Sequence, residues 1–273
     1  MDWRKELGRR AGEGGWKDDF PLDHDLPESV EVDCTKLQLP IHPMFAIRLR
    51  VFFDWHTAQG RAVRLLPPDD MEARHVFEAM GIGGDPPGPE DDAIVPVTKI
   101  REFLEVEEVA NRTQQIVEYD LHDIAALGQA TFMAVSELCG NAIEHGSNSL
   151  GSYVAVRRVQ QPRRQVSVAI ADLGIGIPEH LRQQYPEWTV DGWAIAHATD
   201  EHVTGTGDRH RGIGFSAVFE AALTRSLHAA QLNILSASGF CRAHLVQEDR
   251  KIEVFPTSRF RRGTWITYDL VSV

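Results

Sequence analysis

Leu127–Gly146, LGQATFMAVSELCGNAIEHG, is the stretch around which the rest of the chain is read. Its residues are mostly good helix formers, it contains no proline, and Gly146 supplies a stop. One long helix is therefore expected over Leu127–His145. Along it Glu137, Asn141 and His145 recur at intervals of four, so they share one helix face. Their neighbours Leu138, Ala142 and Ile143 are apolar, which sets the polar stripe close to buried surface. A buried carboxylate is costly unless it is paired or used. Taken alone, the stripe reads first as a solvated polar face, and only its combination with residues further along the chain gives it another meaning.

Downstream, Ala169–Pro178 reads AIADLGIGIP. A strand there delivers Asp172 to its C-terminal end, and Gly174 and Gly176 continue with no side-chain bulk. An acid so placed suits an exocyclic amine, and the bare backbone suits a flat ring; an ordinary turn is the plain alternative. Further on, HRGIGF at His210–Phe215 precedes a helix expected over Phe215–Ala230. Glycines at a helix start offer backbone N–H groups to an anion, helped by the helix dipole, and Arg209 and Arg211 stand beside them as phosphate contacts. A flexible loop explains these glycines equally well. Residues 173–212 read as loop-rich, strands are expected over Asn233–Ser238 and Arg242–Gln247, and Gly263 and Thr264 open the last expected strand, Thr264–Leu270.

Order and spacing turn these separate signals into one. Glu137-x-x-x-Asn141-Ala142-x-x-His145 resembles the N-box of the gyrase/Hsp90/histidine-kinase/MutL (GHKL) superfamily. Asp172-x-Gly174-x-Gly176 resembles its G1 box, Gly212-x-Gly214 its G2 box, and Gly263-Thr264 its closing motif. The resemblance covers roughly residues 97–273. It implies an α/β sandwich of the Bergerat type, with a mixed sheet and helices on one face, that takes ATP and Mg²⁺ as cofactors. By the same resemblance Asp172 accepts a hydrogen bond from the adenine amine, with Thr264 supporting it through a water. Gly174 and Gly176 let the adenosine lie against the backbone, and His145 belongs to the nucleotide-binding set. Asn141 holds Mg²⁺. Residues 199–212 form a lid over the nucleotide, Arg211, Gly212 and Gly214 meet its phosphates, and Glu137 polarises the attacking water or hydroxyl. Glu137 followed by NAIEHG is most similar to anti-sigma-factor serine/threonine kinases. That likeness implies a protein partner, a sigma factor or a STAS-type antagonist, besides ATP or ADP, and leaves room for a homodimer. Two other classes stay open: an ATP-sensing binding module with little turnover, and a histidine-kinase-like or gyrase-like ATPase. His122, in YDLHDIAALG, lacks the dimerisation hairpin that a phosphoaccepting histidine needs, and no G-x-x-x-x-G-K-[ST] loop occurs.

Ahead of this region the chain has its own pattern. Residues 1–26 are charged and weakly periodic, as expected of a flexible tail. Residues 27–82 read as a small α/β unit: strand SVEVDC, a helix opened by Pro43, strand RAVRLL, and a helix capped by Asp69 or Asp70 and ended by Gly81. This order loosely resembles the STAS fold of anti-sigma-factor antagonists. Those antagonists accept phosphate on a Ser or Thr just before the first helix, where this chain has LQLPIHPMF, with neither. The Pro, Gly and Asp of residues 83–96 mark a linker. A formal net charge of -12 argues against nucleic acid or an anionic membrane as the main partner. The three cysteines, Cys34, Cys139 and Cys241, are far apart and at no zinc-ligand spacing, and no stretch is apolar enough to span a membrane, so a cytoplasmic protein is expected.

Overall fold

The structure, a computed structural model, describes residues 29–82, 93–120, 125–145, 150–159, 164–199, 229–246 and 249–272. Two compact units divide the chain. One takes residues up to Thr98 with Ala155–Arg157, and the other takes Lys99–Val154 with Arg158 onward.

In the first, β1 (Ser29–Asp33) pairs in parallel with β2 (Ala62–Leu66). Alternation decides which side chains of β1 enter the core: Val30 and Val32 are buried, while Glu31 between them is not. A parallel pair needs a crossover, supplied by α1 (Pro43–Ala58). Pro43 sits in the first turn, where its missing N–H costs nothing. The ring of His42 caps the helix, its Nδ1 accepting from the Met44 N–H at 3.1 Å. Met44, Phe45, Ile47, Leu49, Val51 and Phe52 are all buried, so this helix is apolar around most of its circumference rather than along one stripe. α2 (Met71–Ala79) comes next, capped by Asp70, which accepts from the Ala73 N–H at 2.8 Å. Gly81, with φ +67°, turns the chain away.

The remaining described elements are β3 (Ile94–Ile100), α3 (Phe103–Asp120), α4 (Ala125–His145), β4 (Ser152–Val159), β5 (Arg164–Asp172), α5 (Ile177–Arg182), α6 (Asp191–Ala198), β6 (Ala229–Val246) and β7 (Asp249–Ser272). Their strands form a five-stranded sheet in the order β3-β4-β5-β7-β6, with β7 antiparallel to both β5 and β6. Register sorts the side chains of β5, β7 and β6 into two faces. One carries Val166, Val168 and Ile170 beside Ile266, Tyr268 and Leu270 and beside Leu232 and Ile234, all buried. On this face the Tyr268 hydroxyl reaches toward Thr131 of α4, and burial pushes that phenol's pKa up. The opposite face mixes buried Ala169, Ala171, Leu235 and Trp265 with polar pairs: the Ser167 hydroxyl donates to Asp269 at 2.5 Å, and the Asn233 amide donates to the Thr267 hydroxyl at 3.0 Å.

Several expectations need correction. The two strands expected at Asn233–Ser238 and Arg242–Gln247 are one, β6, because a bulge at Ala237, with φ +51°, absorbs the irregularity instead of ending the strand. β7 begins fifteen residues before Thr264, with Pro256 tolerated opposite Gly239 beside that bulge. Within residues 173–212, expected to be loop-rich, lie α5 and α6, both too short to show a period. They are held by tertiary contacts instead. The Arg182 guanidinium donates to the carbonyls of Trp188 and Thr189 and pairs with Asp191, whose other oxygen accepts from the Ser238 N–H at 2.8 Å. β3 begins at Ile94, inside the stretch expected to be linker. β6 starts at Ala229, so the helix expected over Phe215–Ala230 does not reach its last two residues; the rest of it lies outside the described residues.

Candidate nucleotide site

Three strands meet on one rung. Asp172, the last residue of β5, stands opposite Thr264 of β7, and Thr264 stands opposite Ser236 of β6. By register all three side chains fall on the apolar, helix-facing side of the sheet, and all three are buried. Removal from water pushes the Asp172 carboxyl up to about 6, although hydrogen bonds from the Gly174 N–H and from Thr264 oppose the shift. The Gly174 N–H reaches one carboxylate oxygen at 2.8 Å. A buried acid tuned this way, at a strand end beside glycines, is an acceptor held ready for an N–H donor.

The backbone around this rung leaves no room for side chains. Gly263 has φ +74°, and a Cβ there would fall 2.0 Å from the Asp172 carbonyl oxygen. Gly176 has φ +85°, and a Cβ there would meet the Ser236 hydroxyl at 2.6 Å. That hydroxyl is a junction: it donates to the Gly263 carbonyl at 2.8 Å and accepts from the Ile177 N–H at 3.0 Å. The Arg262 Nε donates to the Leu173 carbonyl at 2.9 Å, a second tie between the two segments. Ser236 and Arg262 escape sequence reasoning. Nothing marks a serine in an alternating strand until register sets it opposite Thr264, and Arg262 shows its partner only once β7 is aligned with the end of β5.

A second group lies on α4. Glu137 and Asn141 are exposed, one turn apart, and line a pocket of about 320 Å³ with Phe103, Phe132, Met133 and Glu144. None of Asp172, Gly174, Gly176 or Thr264 lines this pocket. The donors at Asn141, Glu137 and Glu144 are hard oxygens, the kind that suit Mg²⁺ shared with phosphates. The structure therefore brings Asp172, Gly174, Gly176 and Thr264 together, and separately Glu137 with Asn141. His145 ends α4, and its side chain is outside the described residues. So are the expected lid from residue 200 onward, Arg209, Arg211, Gly212 and Gly214, and His122.

Elsewhere, burial pushes the thiols of Cys34 and Cys139 up to about 12, which keeps them protonated and unreactive. Among the described residues no helix is long and apolar enough to cross a membrane.

A mixed sheet with an acid, a glycine turn and a Gly-Thr pair on its helix-facing side has the architecture of a GHKL-type ATP-binding sandwich. A model of the family described as histidine kinase-, DNA gyrase B- and HSP90-like ATPase matches residues 128–270, and the chain belongs to that family. None of the curated proteins matches it. ATP binding, in a signalling ATPase or kinase-like role, is implied by the membership.

Proposed function

We propose that this protein is an Mg²⁺·ATP-dependent kinase of the anti-sigma-factor type, which phosphorylates a Ser or Thr of a protein partner in a partner-switching circuit. The observation that carries the reading is the pair Glu137 and Asn141, exposed one turn apart in one pocket of α4. Asp172 accepts the adenine amine while Gly174 and Gly176 admit the ring. Asn141 holds Mg²⁺, which neutralises phosphate charge when bound. Glu137 takes the proton from the partner's hydroxyl as that oxygen attacks the γ-phosphorus. The bond from γ-phosphorus to the β–γ bridging oxygen breaks, and ADP leaves.

The N-terminal unit acts in this reading as a STAS-like docking module. Its parallel β1–β2 pair with the α1 crossover supports that reading. Residues 37–45 contain no Ser or Thr, and the one titratable ring there, His42, is occupied in capping α1. The partner is a sigma factor or a STAS-type antagonist.

The test is incubation of the full chain with γ-labelled ATP and Mg²⁺, alone and with partners captured in the presence and absence of ATP. A kinase labels Ser or Thr of the partner and releases little free phosphate without it. Free phosphate in the absence of any partner makes the protein an ATPase, and tight ATP binding with neither reaction makes it a sensor.

A further inference from the structure

Beyond Glu137 and Asn141, the pocket on α4 has an apolar character that nucleotide chemistry does not use. Asn141, Glu137 and Met133 succeed one another at intervals of four along α4, so metal holder, base and thioether stand in one line spanning about 12 Å. Met133 is 46% exposed and Phe103, at the start of α3, is 60% exposed. Phe132 lines the same pocket. The ring of Phe103 lies over Gly140, where an added Cβ would sit 3.5 Å from its Cε1, so it walls the pocket against the Glu137–Asn141 turn. Large apolar groups exposed together beside acids mark a binding surface rather than a solvated face.

We infer that this apolar half of the pocket is the docking groove for the phosphoacceptor segment, seating a large apolar side chain two residues from the Ser or Thr that Glu137 deprotonates. The inference rests on the kinase reading of the same site. Met133 and Glu137, four residues apart, are separated by about 6 Å along the helix. Side chains two apart in an extended chain project on the same side at about 6.5–7 Å, whereas adjacent ones point to opposite sides. An extended segment with its hydroxyl at Glu137 and running toward the N-terminal end of α4 therefore sets the side chain two residues away over Met133, in the pocket that Phe103 and Phe132 also line. Charge selects the rest of the occupant. Glu137 and Glu144 line the pocket, with no cation among the described residues that line it. Around Phe103 the exposed charges are Glu102, Glu107 and Glu108 against Arg101. The segment accordingly carries a Lys or Arg beyond its apolar anchor.

The probe is a set of synthetic peptides with one Ser, a leucine or glycine two residues from it, and a Lys or Glu beyond. Binding is read on the full chain, methyl-labelled at methionine and saturated with Mg²⁺ and a non-hydrolysable ATP analogue. Leucine–lysine peptides should shift the Met133 methyl resonance saturably. Glycine in place of leucine should weaken binding at least tenfold, and glutamate in place of lysine should weaken it further. Phe103→Ser should cost a similar factor while keeping the thermal shift with ATP, which shows that the fold and nucleotide site are intact. Absence of binding by every peptide, binding that leaves Met133 unmoved, or equal affinity for leucine and glycine peptides overturns the groove. Selective binding without phosphate transfer supports the groove and removes the kinase reading. Transfer without apolar selection does the reverse.

Discussion

In the proposed reading a single residue, Asp172, carries the recognition of adenine. Its carboxyl, held at about 6 by burial, is protonated in the folded chain over a range where an unfolded aspartate is ionised. Between about pH 4 and 6 the native state holds the extra proton, so this group's contribution to stability falls as pH rises through that window and stays at its minimum above it. Nucleotide binding runs the other way, because an amine donor prefers the ionised acceptor. Affinity for ATP should rise about tenfold between pH 5 and pH 7 and level off above, as the ionised fraction does for a group of pKa about 6. Calorimetric titration across that range checks it, and a flat profile removes Asp172 from the site. Asp172→Asn should be nearly as damaging as Asp172→Ala. The Gly174 N–H claims one oxygen, so the new amide turns its own N–H groups toward the adenine amine, donor against donor. On α4, Asn141→Ala should weaken Mg²⁺·ATP binding itself. Glu137→Ala should spare affinity and lower turnover by about 10²–10⁴-fold, the mark of a group acting only in the transition state. Turnover unchanged in Glu137→Ala would show that the base lies elsewhere.

At the scale of elements, the rung of Asp172, Thr264 and Ser236 exists because two glycines let β7 close on the end of β5. Gly263→Ala introduces a methyl 2.0 Å from the Asp172 carbonyl at a positive φ. The strain and the clash together should cost about 2–5 kcal/mol, read as a loss of about 2–4 °C in Tm per kcal/mol together with loss of ATP binding. Retention of both would show that the strands separate there at little cost. These elements were not equally legible from sequence. α4 declares itself through composition and Gly146, and Asp172 through the alternation that ends in Leu173-Gly174. α1 and α2 declare themselves through Pro43 and Asp70. What stayed hidden depends on distant contacts. α5 and α6 rest on Arg182 meeting Asp191 and on Gly239 lying against Gly192, where a Cβ would fall 2.5 Å from the Gly192 nitrogen. The continuity of β6 depends on a bulge at Ala237 that no local propensity announces. Ser236 joins the site only through register, which single-strand periodicity does not encode.

At the scale of the molecule, nucleotide binding should appear as stabilisation. With Mg²⁺·ATP at ~100 times Kd, one-site linkage gives about 2.7 kcal/mol, visible as a thermal shift. GTP should give much less, because guanine carries a carbonyl where adenine carries its amine, and an unpaired buried acid costs about 1–3 kcal/mol or more. Equal shifts with ATP and GTP would mean that Asp172 does not read the base. The register of the long β6–β7 hairpin carries a consequence in time. Val246 and Asp249 pair almost next to each other in sequence, but Ser236 meets Thr264 nine pairs further down, and Asp172 reaches Thr264 only across an intervening ninety-odd residues. Zipping begins cheaply at the Val246 end, and the strand bearing Asp172 must dock last, after the largest loop closure. The rung of Asp172, Thr264 and Ser236 should therefore form after the folding transition state, so that a ligand bound there slows unfolding and leaves the rate of folding untouched, as refolding and unfolding rates with and without ATP would show.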